Sequence, residues 1–106
     1  MNKINNPITI KQMQCNAVRA ETLLKQLANA NRLMVLCHLV SGEKNAGELA
    51  EAVDLSQSAL SQHLARLREA GLVKSEKRGL SVYYSICSME AQALLSVLYL
   101  IYCRES

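Results

Sequence analysis

Apolar residues recur at helical spacing along the first part of the chain. This spacing predicts a helix over about residues 9–28 and a second helix in "ANRLMVLCHLV", which Asn29 would cap and Gly42 would end. The apolar stripe of the first helix comprises Ile10, Met13, Ala17, Leu24 and Leu27. The inward-facing residues of the second are Leu33, Leu36 and Val40.

Two further helices follow with a short break between them. Asn45 and Glu48 form a capping-box pattern at the start of "AGELAEAV". Ser56 is a good N-cap for the next helix, which Gly71 would end. Two helices so close in sequence predict a helix-turn-helix over about residues 46–70.

The period then changes from helical to extended. The runs "LVKSE" and "SVYYSI" are β-branched or aromatic and flank Lys77-Arg78-Gly79. They predict a hairpin over residues 73–86 with a basic tip. The fold class is therefore mainly α with a small β-hairpin, a winged helix-turn-helix in which four helices precede the hairpin and one follows it.

The final predicted helix is apolar on nearly every side. Ser88 would cap it, and it would cover about residues 89–103, "MEAQALLSVLYLIYC". Such a helix must be buried all round. It is either a central core helix or a dimer interface shared with the helix at 9–28, and we favour the homodimer because so small a chain cannot easily surround a helix.

Length and composition favour one soluble domain. The chain has 106 residues, half of them hydrophobic, which makes disorder unlikely for all but a flexible tail at residues 1–8. The longest apolar runs are far short of the ~20 residues that span a bilayer, and the N-terminus lacks the apolar core of a signal peptide. We therefore expect a cytoplasmic protein without membrane contact.

Positive charge is concentrated in the helix-turn-helix and wing. The net charge is +3 overall, with +1 in residues 1–55, +3 in residues 56–86 and −1 in residues 87–106. Such a bias fits a polyanionic partner, although five basic residues can also form an ordinary solvated face.

The fourth predicted helix carries small polar residues where Glu or Lys would be usual. Ser58, Ser61, Gln62 and Ala65 lie opposite an apolar face, and Gln57 and Arg68 flank them. Short polar side chains suit base edges in a DNA major groove, since Gln can pair bidentately with adenine and Ser can donate or accept. The candidate DNA-binding residues are Gln57, Ser58, Ser61, Gln62, His63, Arg66, Lys77 and Arg78.

Two of these assignments have a plain structural alternative. His63 lies at the border of the apolar face, where packing or a contact with backbone phosphate is more usual than base recognition. Lys77 and Arg78 would reach phosphates or the adjacent minor groove, or would belong to a solvated turn.

The four cysteines, at positions 15, 37, 87 and 103, are widely spaced. There is no CxxC pair and no Cys/His cluster, which argues against a zinc site built from neighbouring ligands. We expect no metal and no cofactor, and a metal site of another kind stays open as an alternative. The lack of a CxxC pair and of a substrate-cleft signature also argues against a thiol-disulfide enzyme. Cys37 projects near Leu33 on an apolar face, where a cysteine is commonly a small buried hydrophobe.

Three segments together resemble the ArsR/SmtB family of bacterial winged-helix repressors. They are "LANANRLMVLCHLV", "AGELAEAVDLSQSALSQHLARLREAGLV" and "KRGLSVYYSI", and the resemblance covers the chain from about residue 18 onward. It implies a homodimer joined through the first and last helices. It also implies binding to an imperfect inverted repeat in promoter DNA, with release when the dimer geometry changes.

The metal sites of that family have no counterpart here. Its thiolate site lies in an "ELCVCD"-like stretch, and this chain has Ala50 and Ala52 in place of the thiols. Its other common site needs histidine on the final helix, which has none.

Cys37 and Cys103 instead resemble the sulfide- and redox-responsive branch of the family, the BigR/SqrR/YgaV group, with HlyU-type regulators close by. The resemblance implies that reactive sulfur species join these two cysteines through a disulfide or polysulfide and that DNA is then released. Cys15 projects away from the apolar stripe of the first helix and Cys87 ends the second wing strand, so we expect no such role for either, although an exposed Cys15 could be modified incidentally.

We thus expect a homodimeric transcriptional repressor that binds double-stranded promoter DNA and is controlled by oxidation of Cys37 and Cys103. Three alternatives stay open at this point: a metal-responsive regulator of the same fold, a constitutive regulator with structural cysteines, and a winged-helix module that binds protein. HlyU-like relatives also leave open whether the regulator represses or displaces another silencer.

Overall fold

The computed structural model describes residues 9–102 as five helices and a three-stranded antiparallel sheet. The helices are α1 (Ile10–Leu27), α2 (Ala30–Leu39), α3 (Ala46–Val53), α4 (Gln57–Glu69) and α5 (Met89–Tyr102), and the strands are β1 (Lys44–Asn45), β2 (Val73–Arg78) and β3 (Ser81–Ile86). The five predicted helices and the hairpin are confirmed.

Local sequence signals set the helix ends. Each predicted N-cap side chain accepts a hydrogen bond from the backbone N–H three residues later. These N-caps are Asn29, Asn45, Ser56 and Ser88. At the other end of α4, Gly71 adopts φ +78°, and the N–H of Leu72 donates to the carbonyl oxygen of Leu67 at 2.9 Å. This is a Schellman-type end, as expected for glycine just after a helix.

The hairpin turn is shorter than the sequence predicted. Arg78 pairs with Ser81, so Gly79 and Leu80 alone form the turn, and Gly79 takes φ +63°. The prediction that Lys77 and Arg78 form the tip is wrong, since both lie within β2. Two-residue turns need positive φ and match the twist of paired strands, which favours a turn built on glycine.

A short strand before α3 was missed by the predicted element order. β1 pairs antiparallel with β3, with Lys44 opposite Tyr84 and Asn45 opposite Tyr83, and the sheet order is β1-β3-β2. Two residues are too few to show a hydrophobic period, and Asn45 also caps α3. β1 therefore connects the start of the helix-turn-helix to the middle of β3.

The core is built mainly from leucine. Leu60, Leu64 and Leu67 of α4 are buried, as predicted. In α2 Leu36 is buried, and Leu33 and Val40 are partly buried and pack against the core, so the predicted inward face is confirmed; Val35 and Leu39 are buried as well. The remaining buried residues are Leu27, Leu49, Leu72, Val73, Ala91 and Leu95.

α1 and α5 leave most of their apolar side chains uncovered. In α1, Ile10 is 74% exposed and Met13 is 58% exposed, although Leu27 is buried. In α5 only Ala91 and Leu95 are buried. The alternative that α5 is a central helix of its own chain is therefore wrong. The radius of gyration, 16.1 Å, also exceeds the ~13 Å typical of a compact chain of about 100 residues.

Between residues 9 and 102, no helix is long and apolar enough to cross a bilayer.

Candidate nucleic-acid interface and thiol sites

α3 and α4 form the predicted helix-turn-helix. α3 ends at Val53, and Asp54 takes a left-handed conformation with φ +56°, which turns the chain sharply. Leu55 packs against the core, and Ser56 then starts α4. Asp tolerates the left-handed region better than most residues do. The two helices are thus joined by a three-residue turn that the hydrophobic core holds in place.

The polar face of α4 is open to solvent along its first three turns. Ser58, Ser61, Gln62 and Ala65 are all exposed, and so is Gln57 at the start of the helix. The buried leucines of α4 lie on the opposite side, which fixes the rotation of the helix. The residues predicted to read bases are therefore brought together on one accessible surface of α4.

His63 lies at the border between these two faces. It is partly buried, and its Nδ1 is buried with no hydrogen-bond partner among the described residues. Burial lowers the pKa of this imidazole below its usual value, and the nearby positive charges of Arg32 and Arg66 lower it further. The structure thus favours an uncharged His63 that is partly covered by the protein.

Arg32 is a basic residue of this border that the sequence analysis missed. Its Nε donates to the carbonyl oxygen of Gln26 at 3.0 Å, and its Nη2 donates to that of Lys25 at 3.3 Å. The guanidinium therefore closes the C-terminal end of α1 while its charge acts on His63 in α4. Only the packing of α2 beside α4 creates this neighbourhood, so no local sequence pattern could have indicated it.

The wing presents its two predicted basic residues differently. Lys77 is exposed on β2. Arg78 is held by the carboxylates of Glu43 and Glu76, and its Cζ lies 4.8 Å from the centre of the Tyr83 ring. At the turn, Leu80 is fully exposed. Lys77 is thus available to a partner as it stands, whereas Arg78 has protein partners.

The cysteines occupy different environments. Cys37 of α2 is partly buried and packs against the core, while Cys15 and Cys87 are exposed. The Sγ of Cys87 lies 3.5 Å from the carbonyl oxygen of Gly71. Cys103, the other predicted redox residue, lies outside the described residues.

Metal-binding groups are scattered over the part of the chain that the structure describes. Within residues 9–102, no three His, Cys, Asp or Glu side chains come together as a metal site would require.

A cavity of about 540 Å³ lies between α1, the end of α4 and the start of α5, with Arg19, Gln26 and Leu94 in its lining. Its walls combine apolar, amide and charged groups.

Comparison with known proteins identifies the family. The model of "Bacterial regulatory protein, arsR family" matches residues 24–75. The transcriptional activator HlyU of Vibrio cholerae is 44% identical over 94% of this chain and 93% of its own length. The structure of reduced HlyU from the same species superposes with a TM-score of 0.87, over 90% of this chain and 100% of that structure.

Two further solved structures extend the likeness. The transcriptional repressor BigR of Xylella fastidiosa is 36% identical, with a TM-score of 0.81 over 92% of this chain and 100% of that structure. A homodimeric winged helix-turn-helix DNA-binding domain from Mycobacterium bovis is 25% identical, with a TM-score of 0.72 over 92% of this chain and 88% of that structure. The chain belongs to the ArsR family of bacterial regulatory proteins and is a transcriptional regulator of that family, not an enzyme, with HlyU and BigR among its relatives.

Proposed function

We propose that this regulator is a homodimeric repressor that binds an imperfect inverted repeat in double-stranded promoter DNA and releases it when reactive sulfur species oxidise or bridge Cys37 and Cys103. The observation that supports DNA recognition most directly is the division of α4. Its leucines are buried, while Ser58, Ser61 and Gln62 face solvent together. Such a helix can enter a major groove without unfolding any of its core contacts.

The proposed interface has a base-reading part and a phosphate-binding part. Gln57, Ser58, Ser61 and Gln62 are the proposed base-reading residues, because their side chains can donate to or accept from base edges. The proposed phosphate contacts are Arg66 on α4 and Lys77 on the wing, both of which are exposed. His63 is partly buried and Arg78 is held by two carboxylates, so neither is a proposed direct contact with DNA.

The unburied apolar faces of α1 and α5 support the homodimer. Val97, Leu100 and Ile101 are each more than half exposed in a single chain. Contiguous apolar surface of this kind is unfavourable in water unless a partner covers it. The related domain from Mycobacterium bovis is homodimeric, and a second copy of this chain would bring the same faces together around a twofold axis. Two α4 helices could then address successive major grooves about 34–36 Å apart.

The proposed switch uses the chemistry of sulfane sulfur. The Cys37 thiolate attacks the terminal sulfur of a persulfide, R–S–SH, which forms Cys37–S–SH and expels R–S⁻. The Cys103 thiolate then attacks the Cys37 sulfur and expels HS⁻, so that two thiols are oxidised to a disulfide while the sulfane sulfur is reduced. Capture of further sulfane sulfur before closure would give a longer polysulfide bridge.

The proposed release is a shift between two dimer geometries. Cys37 packs against the core from α2, so a covalent link there would pull on the helix that neighbours both α3 and α4. A bridge from Cys37 on α2 to Cys103 would favour a dimer whose α4 helices no longer match the groove spacing. The DNA would then dissociate without any change in the base-reading residues.

Selection from sheared genomic DNA tests the DNA-binding part. We expect the reduced protein to retain promoter fragments that contain an inverted repeat, with an affinity that falls steeply as salt rises because several phosphates are neutralised per dimer. A reduced protein that retains no fragment at low salt would instead be a winged-helix module for a protein partner. Tight stoichiometric metal uptake would favour a metal-responsive regulator. These experiments assume a cytoplasmic protein with access to the chromosome.

A further inference from the structure

Arg78 forms the centre of a charged cluster at the side of the wing. Its Nη2 donates to Glu43 Oε1 at 2.9 Å and to Glu76 Oε1 at 2.9 Å, and its Nη1 donates to the second oxygen of Glu43. The same guanidinium lies over the Tyr83 ring. Hydrogen bonds from Arg78 lower the pKa of Glu76, and the two carboxylates raise that of Arg78.

These partners come from three separate segments of the chain. Glu43 lies in the loop after α2 and directly precedes β1, whereas Glu76 and Tyr83 face each other across the β2–β3 pair. Glu76 and Arg78 are two residues apart on β2, so their side chains project from the same face of the strand. The cluster therefore connects the wing to the segment that leads into the helix-turn-helix.

The outer half of the wing has little else to hold it. β1 pairs with Tyr83 and Tyr84 only, so the pairs Lys77–Val82 and Arg78–Ser81 belong to a two-stranded ribbon. An isolated two-stranded ribbon is marginally stable in water. A bidentate Arg–carboxylate pair, with a second carboxylate and an aromatic face, is among the surface contacts that can fix geometry.

We propose that Arg78 is a positioning residue whose cluster with Glu43 and Glu76 holds the wing at a fixed place relative to α4. This inference rests on the proposed DNA-binding function and explains how the wing is held in position for it. Arg78 would need to leave two carboxylates to bind a phosphate. Its role is instead to present Lys77 and the exposed Leu80 to the DNA. The loop after α2 thereby becomes part of the DNA-binding machinery without touching DNA.

Removal of Glu43 separates this role from simple electrostatics. Glu43→Gln removes one negative charge, and the matched control Glu51→Gln, on the exposed side of α3, removes one as well. By charge alone, each substitution should strengthen DNA binding. We expect Glu43→Gln to weaken operator binding at least several-fold, while Glu51→Gln binds as tightly as the wild type or more tightly. Equal or tighter binding by both variants would overturn the proposal.

A conservative change at Arg78 provides a second test. Arg78→Lys keeps the charge but loses the planar fork that engages both carboxylates. A positioning role predicts a several-fold loss for Arg78→Lys, and no further loss when Glu43→Gln is added, because the two residues act through each other. A phosphate-binding role predicts near wild-type affinity for Arg78→Lys, and that result would contradict our assignment.

Hydrogen exchange in the free protein tests the cluster without DNA. We expect amides within residues 77–82 to exchange faster in Glu43→Gln than in Glu51→Gln or the wild type, with the amides of α2 and α4 unchanged. Unchanged exchange over residues 77–82 would rule out the anchoring. If the wild type binds no DNA and Glu43→Gln still exchanges faster over residues 77–82, the proposed function is refuted and the anchoring stands.

Discussion

Asn45 and Glu48 cap one another at the start of α3. Asn45 Oδ1 accepts from the backbone N–H of Glu48 at 2.8 Å, and Glu48 Oε1 accepts from the backbone N–H of Asn45 at 2.9 Å. Because α3 has only eight residues, these bonds are a large share of what fixes its first turn. The same residue, Asn45, is also the last residue of β1, so the cap joins the sheet to the helix-turn-helix.

Removal of this cap should destabilise the protein measurably. We expect Asn45→Ala to lower the free energy of unfolding by about 1 kcal/mol, the usual cost of losing an N-cap side chain. Urea denaturation followed by circular dichroism measures the change. Asn31→Ala, at an exposed position within α2, is the matched control and should alter stability much less. Equal losses in the two variants would show that the cap contributes nothing specific.

Base recognition by Gln62 predicts a loss that depends on sequence. Gln62→Ala should weaken operator binding roughly 5- to 150-fold, the range for one bidentate base contact, and should hardly change binding to random duplexes. Fluorescence anisotropy at one fixed salt concentration compares the two duplexes. Asn31→Ala on α2 removes an exposed amide side chain outside the proposed DNA-binding and dimer surfaces and serves as the control. Equal losses on operator and random DNA would argue against base recognition at this position.

The apolar face of α5 predicts a dimer that a single charge disrupts. The chain has a mass of 11.7 kDa, and light scattering should give about twice that value for the wild type. Leu100→Glu places a carboxylate where we expect the partner to pack, so it should shift the mass toward that of one chain and abolish tight operator binding. Asn31→Glu adds the same charge on α2 and should remain dimeric. A dimeric Leu100→Glu protein would exclude this part of α5 from the interface.

His63 predicts a stability that falls under mildly acidic conditions. Its pKa is lowered in the folded protein, by burial first and then by the charges of Arg32 and Arg66. The unfolded chain therefore takes up a proton before the folded one does as the pH drops through the usual histidine range near 6.5. Stability contributed by neutral His63 is present above that pH and is lost below it.

Denaturation curves between pH 7.5 and pH 5.5 measure this effect. We expect His63→Gln to lose less stability over this interval than the wild type, whereas the control His38→Gln, which retains His63, should follow the wild type. Parallel pH profiles for His63→Gln and the wild type would contradict the assignment.

The helix ends and the α4 faces could be predicted because their signals are local. An N-cap side chain bonds three residues along the chain, and the three buried leucines of α4 repeat at helical spacing. The predicted turn, Lys77-Arg78-Gly79, shares only Gly79 with the observed turn, Gly79-Leu80, because strand register alone shows that Lys77 and Arg78 are paired.

Contacts between distant segments could not be predicted in this way. Arg78 meets Glu43 across 35 positions of sequence, and Arg32 reaches the end of α1 only because α2 turns back against it. The prediction that Arg78 binds DNA used its charge and its expected place at the tip of the wing, and its protein partners are visible only in three dimensions. The prediction for Cys37 and Cys103 came from resemblance and stays a prediction, since Cys103 lies outside the described residues.

Operator release by a persulfide donor tests the proposed switch most directly. Anisotropy of labelled operator DNA, with intact-mass analysis of the same samples, should compare the wild type with Cys37→Ser and Cys103→Ser, and with Cys15→Ser and Cys87→Ser as matched controls. We predict that the wild type, Cys15→Ser and Cys87→Ser release the DNA and gain an intramolecular link between residues 37 and 103. Cys37→Ser and Cys103→Ser should stay bound to the DNA. Full release from Cys37→Ser or Cys103→Ser would contradict the account.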